Sequence, residues 1–171
     1  VVLVTHDPID AHALADRVVV IEGGRVVQQG GLGEVTAHPR SRYVADLVGT
    51  NLVHGELDGH VLTTAAGGAV VVGAEADDGV VGEQYHGPAF AAIRPQAVAV
   101  HRRPPEGSPR NAWACTITGI DRHGDRVRLA LDGAVPLVAE ITAPALVALG
   151  LQVGDSVWAA VKAAEVVAYP E

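Results

Sequence analysis

Two side chains stand out by position. His6 follows the apolar run of residues 1–4 in Val1-Val2-Leu3-Val4-Thr5-His6-Asp7. A histidine at the tip of a buried strand can aim its imidazole at a phosphate held beside the carboxyl edge of a sheet, where ligands of open α/β sheets collect. In an isolated turn the same residue is only a solvated imidazole. Lys162 is the only lysine in the 171 residues and interrupts the apolar stretch 157–164. An unpaired ammonium inside a strand is costly, so Lys162 is either the ligand of an anion or a charge that reaches solvent at a strand end. Asp7 and Asp10 suit the cap or first turn of a helix better than acid catalysis. The eight histidines form no metal-ligand set: His6 and His12 are six apart and the rest are scattered. No Gly-x-Ser-x-Gly elbow supports a hydrolase.

These residues need elements to hold them. Residues 1–4 read as a strand buried on both faces of a parallel sheet, and residues 9–15 as a helix. Residues 18–21 and 25–29 flank Glu22-Gly23-Gly24, a hairpin with a glycine turn. Residues 32–38 and 41–48 read as short helices separated by Pro39, and Gly49 stops the second. From Asn51 onward short β-type runs recur every 8–12 residues, broken by Gly, Asp and Pro, the texture of a small barrel. The boundary is placed near Thr50, so residues 1–50 are the tail of an α/β domain.

The β region repeats itself. At an offset of 68, Phe90 falls on Trp158, Ile93 on Val161, Arg94 on Lys162 and Val98 on Val166. Two copies of one small β unit account for this, over 51–107 and 108–171. The link between them, Arg103-Pro104-Pro105-Glu106-Gly107-Ser108-Pro109, is too rich in proline and glycine to continue a strand.

Composition narrows the classes further. Hydrophobic residues make up 49%, mostly Ala and Val, with two Trp, three Tyr and one Phe, so the core is expected to consist of small branched side chains that favour strands. The net charge of −8, from 12 basic and 20 acidic residues, excludes a general nucleic-acid binder, which needs a basic face. The longest apolar stretches fall short of the roughly 20 residues of a membrane span. The single Cys115 allows no internal disulfide, fits a reducing compartment and reads as a buried strand residue. Val1 opens directly in a strand-like run, so the chain is expected to be a fragment of a longer protein.

The first 30 residues closely resemble the segment of ABC ATPases around the switch histidine. The shared pattern is an apolar strand, Thr5-His6-Asp7, Asp10-Ala11, Leu14-Ala15-Asp16-Arg17, a second apolar strand, Gly24-Arg25 and Gln28-Gln29-Gly30. It continues through Pro39, Ala45 and Gly49-Thr50-Asn51. The resemblance implies that His6 senses the γ-phosphate and helps position the attacking water. ATP and Mg²⁺ would serve the full-length parent, because no Gly-x-x-x-x-Gly-Lys-Ser/Thr loop, signature motif or acidic strand end lies in this chain.

A second resemblance, to the molybdate-binding (molbindin-like, transport-associated OB) domain, covers about residues 108–168. It is carried by Ser108-Pro109-Arg110-Asn111, the strand 114–120, Ala139-Glu140-Ile141-Thr142, Leu149-Gly150-Leu151-Gln152-Val153-Gly154-Asp155 and the stretch 157–164. It implies an oxyanion site built from Ser108, Arg110, Asn111 and Lys162, which supply the hydroxyl, amide and cationic donors that a tetrahedral dianion such as molybdate or tungstate needs. The chain departs from the pattern at Ala164, where a hydroxyl is usual, and at Pro109, which has no N–H. A domain kept only for dimerisation is thus the other reading.

Taken together, the expectation is a mainly β, OB-like regulatory barrel behind an α/β ATPase tail. The function implied is that of the energy-coupling subunit of a molybdate-type ABC importer. Such a subunit is a homodimer on permease subunits, at the cytoplasmic face of the membrane, and takes a small oxyanion but no nucleic acid. Importers of sulfate, iron, polyamine or sugar share the first 50 residues, and a stand-alone molbindin shares the remainder. Lacking a phosphate-binding loop, the purified chain is expected to show no ATP hydrolysis above background in a phosphate-release assay, and His6→Ala in it is expected to change nothing.

Overall fold

The computed structural model describes residues 2–5, 15–73 and 85–171. His6 and the helix expected over residues 9–15 therefore fall outside the described residues, save Ala15. The strand expected at the start is corrected: residues 2–5 join no sheet, and Val2 and Val4 are 91% and 92% exposed. A strand buried on both faces needs a neighbour on each side and cover above and below, and none of the sheets among the described residues supplies them.

The tail begins with a hairpin, β1 (Arg17–Glu22) against β2 (Arg25–Gly31). Its turn places Gly23 at φ 53° and Gly24 at φ 78°, the left-handed pair that a twisted two-residue turn requires and that only glycine adopts freely. Two short helices follow, α1 (Leu32–Ala37) and α2 (Arg42–Val48). Ser41 caps α2 by accepting from the Val44 N–H at 3.2 Å, and its hydroxyl also bonds Glu22. Gly49, at φ 72°, ends the helix. Val20, Val35 and Val44 form the small core between hairpin and helices.

Two five-stranded antiparallel sheets make up the remainder. One runs β12-β6-β3-β4-β5, with β3 (Asn51–Asp58), β4 (Val61–Thr63), β5 (Ala69–Val71), β6 (His86–Ile93) and β12 (Val166–Pro170). The other runs β7-β11-β8-β9-β10, with β7 (Ala99–His101), β8 (Asn111–His123), β9 (Arg126–Gly133), β10 (Leu137–Thr142) and β11 (Ser156–Val161). Read side by side, the two orders match strand for strand, which is the structural form of the sequence repeat. The last strand of each half is exchanged: β7 pairs with β11, and β12 pairs with β6.

Burial alternates along β3 and the first part of β8, as a period of two demands. The inward residues of both sheets, including Leu57, Leu62, Ile93, Ile117, Leu129 and Val161, fill one continuous core. Cys115 lies in that core, where burial pushes its thiol pKa up. The helix α3 (Ala143–Leu149), capped by Thr142 and ended by Gly150 at φ 57°, packs on β9 and β10. Arg102 Nε donates to the Leu149 carbonyl at 2.9 Å, and its guanidinium also reaches Gly150 and Asp155, neutralising the helix end. No helix among the described residues is long and apolar enough to cross a membrane.

The polar residues buried as whole residues, among those described, are Gln28, Asn51 and Asn111. Asn51, at the start of β3, donates to the Ile93 and Val138 carbonyls at 3.0 and 2.9 Å and accepts from the Val138 N–H at 2.6 Å. Asn111, at the start of β8, accepts from the Val71 N–H at 2.6 Å and donates to the Val71 carbonyl at 2.8 Å. Each amide thus satisfies the outward backbone groups of the edge strand of the opposite sheet. Asn111→Ala leaves both backbone groups of Val71 unpaired, and the expected loss is about 2–4 kcal/mol of unfolding free energy in urea titrations, with a similar loss for Asn51→Ala.

Candidate functional site

The two crossovers between the sheets form the candidate site. β6 leads into the 3₁₀ turn Pro95–Ala97, and β11 leads into the 3₁₀ turn Ala163–Glu165. The residues that cap these turns are Arg94 (φ −67°, ψ 136°) and Lys162 (φ −70°, ψ 139°). Their matching backbone angles show that the sequence repeat sets two cations at equivalent corners.

Of the two settings expected for Lys162, the structure shows the one at a strand end, open to solvent. Lys162 is not inside a strand: β11 ends at Val161, and Lys162 is exposed. Its charge therefore carries no burial penalty, and its side chain is available to a ligand. It makes no ion pair among the described residues.

An open cleft of about 610 Å³ lies between the turns, lined by Arg94, Gln96, His101, Glu106, Lys162 and Glu165 on small walls of Ala97, Ala99 and Ala160. Pro105 and Pro109 of the linker close one side. Arg94 pairs with Glu165 at 3.1 Å across the two turns. Gln96 is fixed from behind by donating to Glu140 at 3.0 Å. The Glu140 side chain is 8% exposed and also meets Arg126 at 3.2 Å and Arg128 at 3.3 Å. Burial alone would raise its pKa. The hydrogen bonds from Gln96 and Arg128 and the charges of Arg126 and Arg128 outweigh burial and hold the carboxyl below its ordinary value.

Of the residues expected to bind an anion, the cleft takes in Lys162 alone. Ser108 and Arg110 are exposed on the linker, flanking the lining residue Pro109. Asn111 is 2% exposed, with its amide oxygen and nitrogen both engaged by Val71, so it serves here as a strand clamp. His6 is not among the described residues. Arg94, Gln96, His101 and Glu165 were not singled out as site residues from the sequence. The repeat could have found two of them, since it lays Arg94 on Lys162 and Ala97 on Glu165.

Residues 107–168 match the family model of the TOBE domain. The matched segment contributes Lys162, Glu165 and Ala160 to the cleft, while Arg94, Gln96 and His101 come from the preceding repeat.

Over nearly its whole length the chain is similar to the molybdenum import ATP-binding protein ModC of Mycobacterium tuberculosis. The two are 40% identical over 176 residues, covering 99% of this chain and 46% of the relative. The molybdate/tungstate import ATP-binding protein WtpC of Pyrococcus horikoshii is 31% identical over 169 residues, covering 98% of this chain and 46% of the relative. The chain thus spans about half the length of the curated relatives that it matches. Among solved structures, the cytoplasmic molybdate-binding protein ModG, in a form with molybdate bound, superimposes with a TM-score of 0.60 at 19% identity. The match covers 71% of this chain and 96% of that one. At that identity it shows the fold, an OB-like β architecture.

The lowered pKa of Glu140 fixes the sign of one pH effect. A carboxyl depressed in the folded state contributes stability that is fully present above its unfolded pKa and is lost as pH falls through the folded one. Thermal melts are expected to show the wild-type chain losing stability below about pH 4.5, and Glu140→Gln is expected to flatten that slope while lowering the melting temperature at pH 7.

Proposed function

We propose that the chain is the C-terminal part of the ATP-binding, energy-coupling subunit of an ABC importer for molybdate or a related oxyanion. In this reading residues 1–50 close the ATPase domain, with His6 as the γ-phosphate sensor. Residues 51–107 and 108–171 are paired OB-like units that bind the oxyanion as a regulatory ligand and pair with a second copy. The observation that carries it is that the likeness to the molybdenum import protein runs over 99% of the chain, tail and barrel together. A stand-alone oxyanion-binding protein is the second reading, favoured by the fold likeness covering 96% of the molybdate-binding ModG chain. The match to an import ATP-binding protein over 99% of this chain, tail included, favours the first.

The parent subunit works with permease subunits at the cytoplasmic face of the membrane. No phosphate-binding loop lies in this sequence, so ATP and Mg²⁺ would be held by residues outside it, and no step of hydrolysis runs through the residues described. What these residues can do is hold an anion. Lys162 supplies a charge with no ion pair among the described residues, Gln96 supplies an amide fixed by Glu140, and the alanine walls leave room for a tetrahedral ion.

Bound molybdate adds RT ln(1 + [L]/Kd) to stability, about 2.7 kcal/mol at a hundredfold excess over Kd. The expected outcome of a thermal melt is an upward shift with molybdate or tungstate, and a smaller one with sulfate. Lys162→Ala removes the shift, whereas Arg102→Ala, which acts at the end of α3, lowers the melting temperature and keeps the shift. A melting curve unmoved by millimolar molybdate would overturn oxyanion binding and leave the barrel as a dimerisation element.

A further inference from the structure

We propose that Glu165 is a built-in competitor of the anion at this cleft, occupying Arg94 and thereby setting how tightly the cleft takes a tetrahedral dianion. The proposal rests on the oxyanion reading above and adds to it the residue that limits affinity. Its origin is a break in the pseudo-symmetry. The repeat gives each 3₁₀ turn a cation at its start, Arg94 in one and Lys162 in the other. At the last helical position the first turn ends in Ala97 and the second in Glu165. Only the second turn therefore carries a carboxylate, and that carboxylate crosses the cleft to the guanidinium of the other turn at 3.1 Å.

A carboxylate on a guanidinium uses the same planar donors that would otherwise grip an oxyanion. Of the two cations at equivalent corners, Arg94 is engaged and Lys162 has no ion pair among the described residues. Arg94 and Lys162 together are cancelled by Glu106 and Glu165, so these four side chains offer a dianion no net charge. The Arg94 and Glu165 side chains are 75% and 42% exposed, and ion pairs this open to water are held weakly. The pair can part, which changes the cleft from a one-cation to a two-cation site. Glu165 thus tunes the threshold at which oxyanion fills the cleft.

The test is isothermal titration of the purified chain with sodium molybdate at low ionic strength. Glu165→Gln keeps the side-chain size, removes the charge and frees Arg94. Taking one negative charge away from about 6 Å of a dianion in a water-like medium is expected to tighten binding about tenfold. Glu106→Gln makes the same change in net charge without freeing Arg94, and is expected to tighten binding about threefold at most, because its carboxylate competes for no cation. Arg94→Gln combined with Glu165→Gln restores the neutral lining and should return binding to within about threefold of the wild-type chain.

If the wild-type chain binds and Glu165→Gln binds no tighter, the competitor role is overturned while the oxyanion reading stands. Equal tightening by Glu106→Gln and Glu165→Gln also overturns it, since net charge alone then explains the effect. If only Glu165→Gln binds measurably, the proposal holds and the wild-type cleft is closed by its own carboxylate. If no variant binds at millimolar molybdate, both readings fall.

Discussion

The arrangement depends on carboxamides buried where the chain changes direction. An amide carries a donor and an acceptor in one rigid plane, so it can meet the N–H and C=O of a single backbone residue as a neighbouring strand would. Asn51 does this to Val138 and Asn111 does it to Val71. Gln28 bridges the His38 carbonyl and the Arg40 N–H in the same manner. Trp113 adds a bond from its indole N–H to Ala69 at 2.9 Å, so β5 is held twice. A short edge strand is held in register this way without a further strand, and every buried side-chain polar atom among the described residues has its partner.

With one edge of each sheet fixed by an amide, the other edge is free to accept a strand from the opposite half. That exchange forces β6 and β11 to end at corners where the chain crosses between sheets. The corners carry the 3₁₀ turns, and the turns carry Arg94 and Lys162 at their starts. The cleft is therefore a by-product of closing two sheets around one core. Its chemistry depends on what occupies equivalent places in the turns, Ala97 in one and Glu165 in the other. The tail joins this assembly through Tyr169 of β12, whose hydroxyl donates to the Pro39 carbonyl at 2.6 Å and whose ring meets His38 edge-on at 4.9 Å. Burial raises the pKa of that phenol, which keeps it a donor.

Much of the fold was legible because local chemistry and tertiary structure agree. Gly23-Gly24 specified its hairpin turn, Ser41 and Gly49 bracketed α2, and the short β-type runs after Asn51 marked the strand-rich region. The offset of 68 exposed the paired units. The strand exchange was not legible, since a repeat says that two segments are alike but not which sheet each final strand will join. Asn111 entered the expected anion site through the family resemblance, and a motif match reads the same whether its amide faces an anion or, as here, the backbone of Val71. The sequence left Lys162 between an anion ligand and a charge at a strand end, because Val157 through Val161 are apolar while the turn that lifts it out lies in the unremarkable Ala163-Ala164-Glu165. The run of residues 1–4 looked like a sheet strand because apolar sequence reports a preference for burial, not the presence of neighbours to provide it.

The exchanged strand β12 also has a bearing on how the molecule is made. The sheet that begins at Asn51 is completed by Val166 through Pro170, so its final pairing joins residues that are far apart in the chain, Ile93 with Val166. Pairings of high sequence separation form late and slowly, because the loop must close before the contacts repay it. During synthesis the first sheet stays open along β6 until the last residues of this sequence emerge. A chain ending at residue 165 would hold every strand of the second sheet beside a first sheet still open along β6, with a vacant edge ready to pair with another chain.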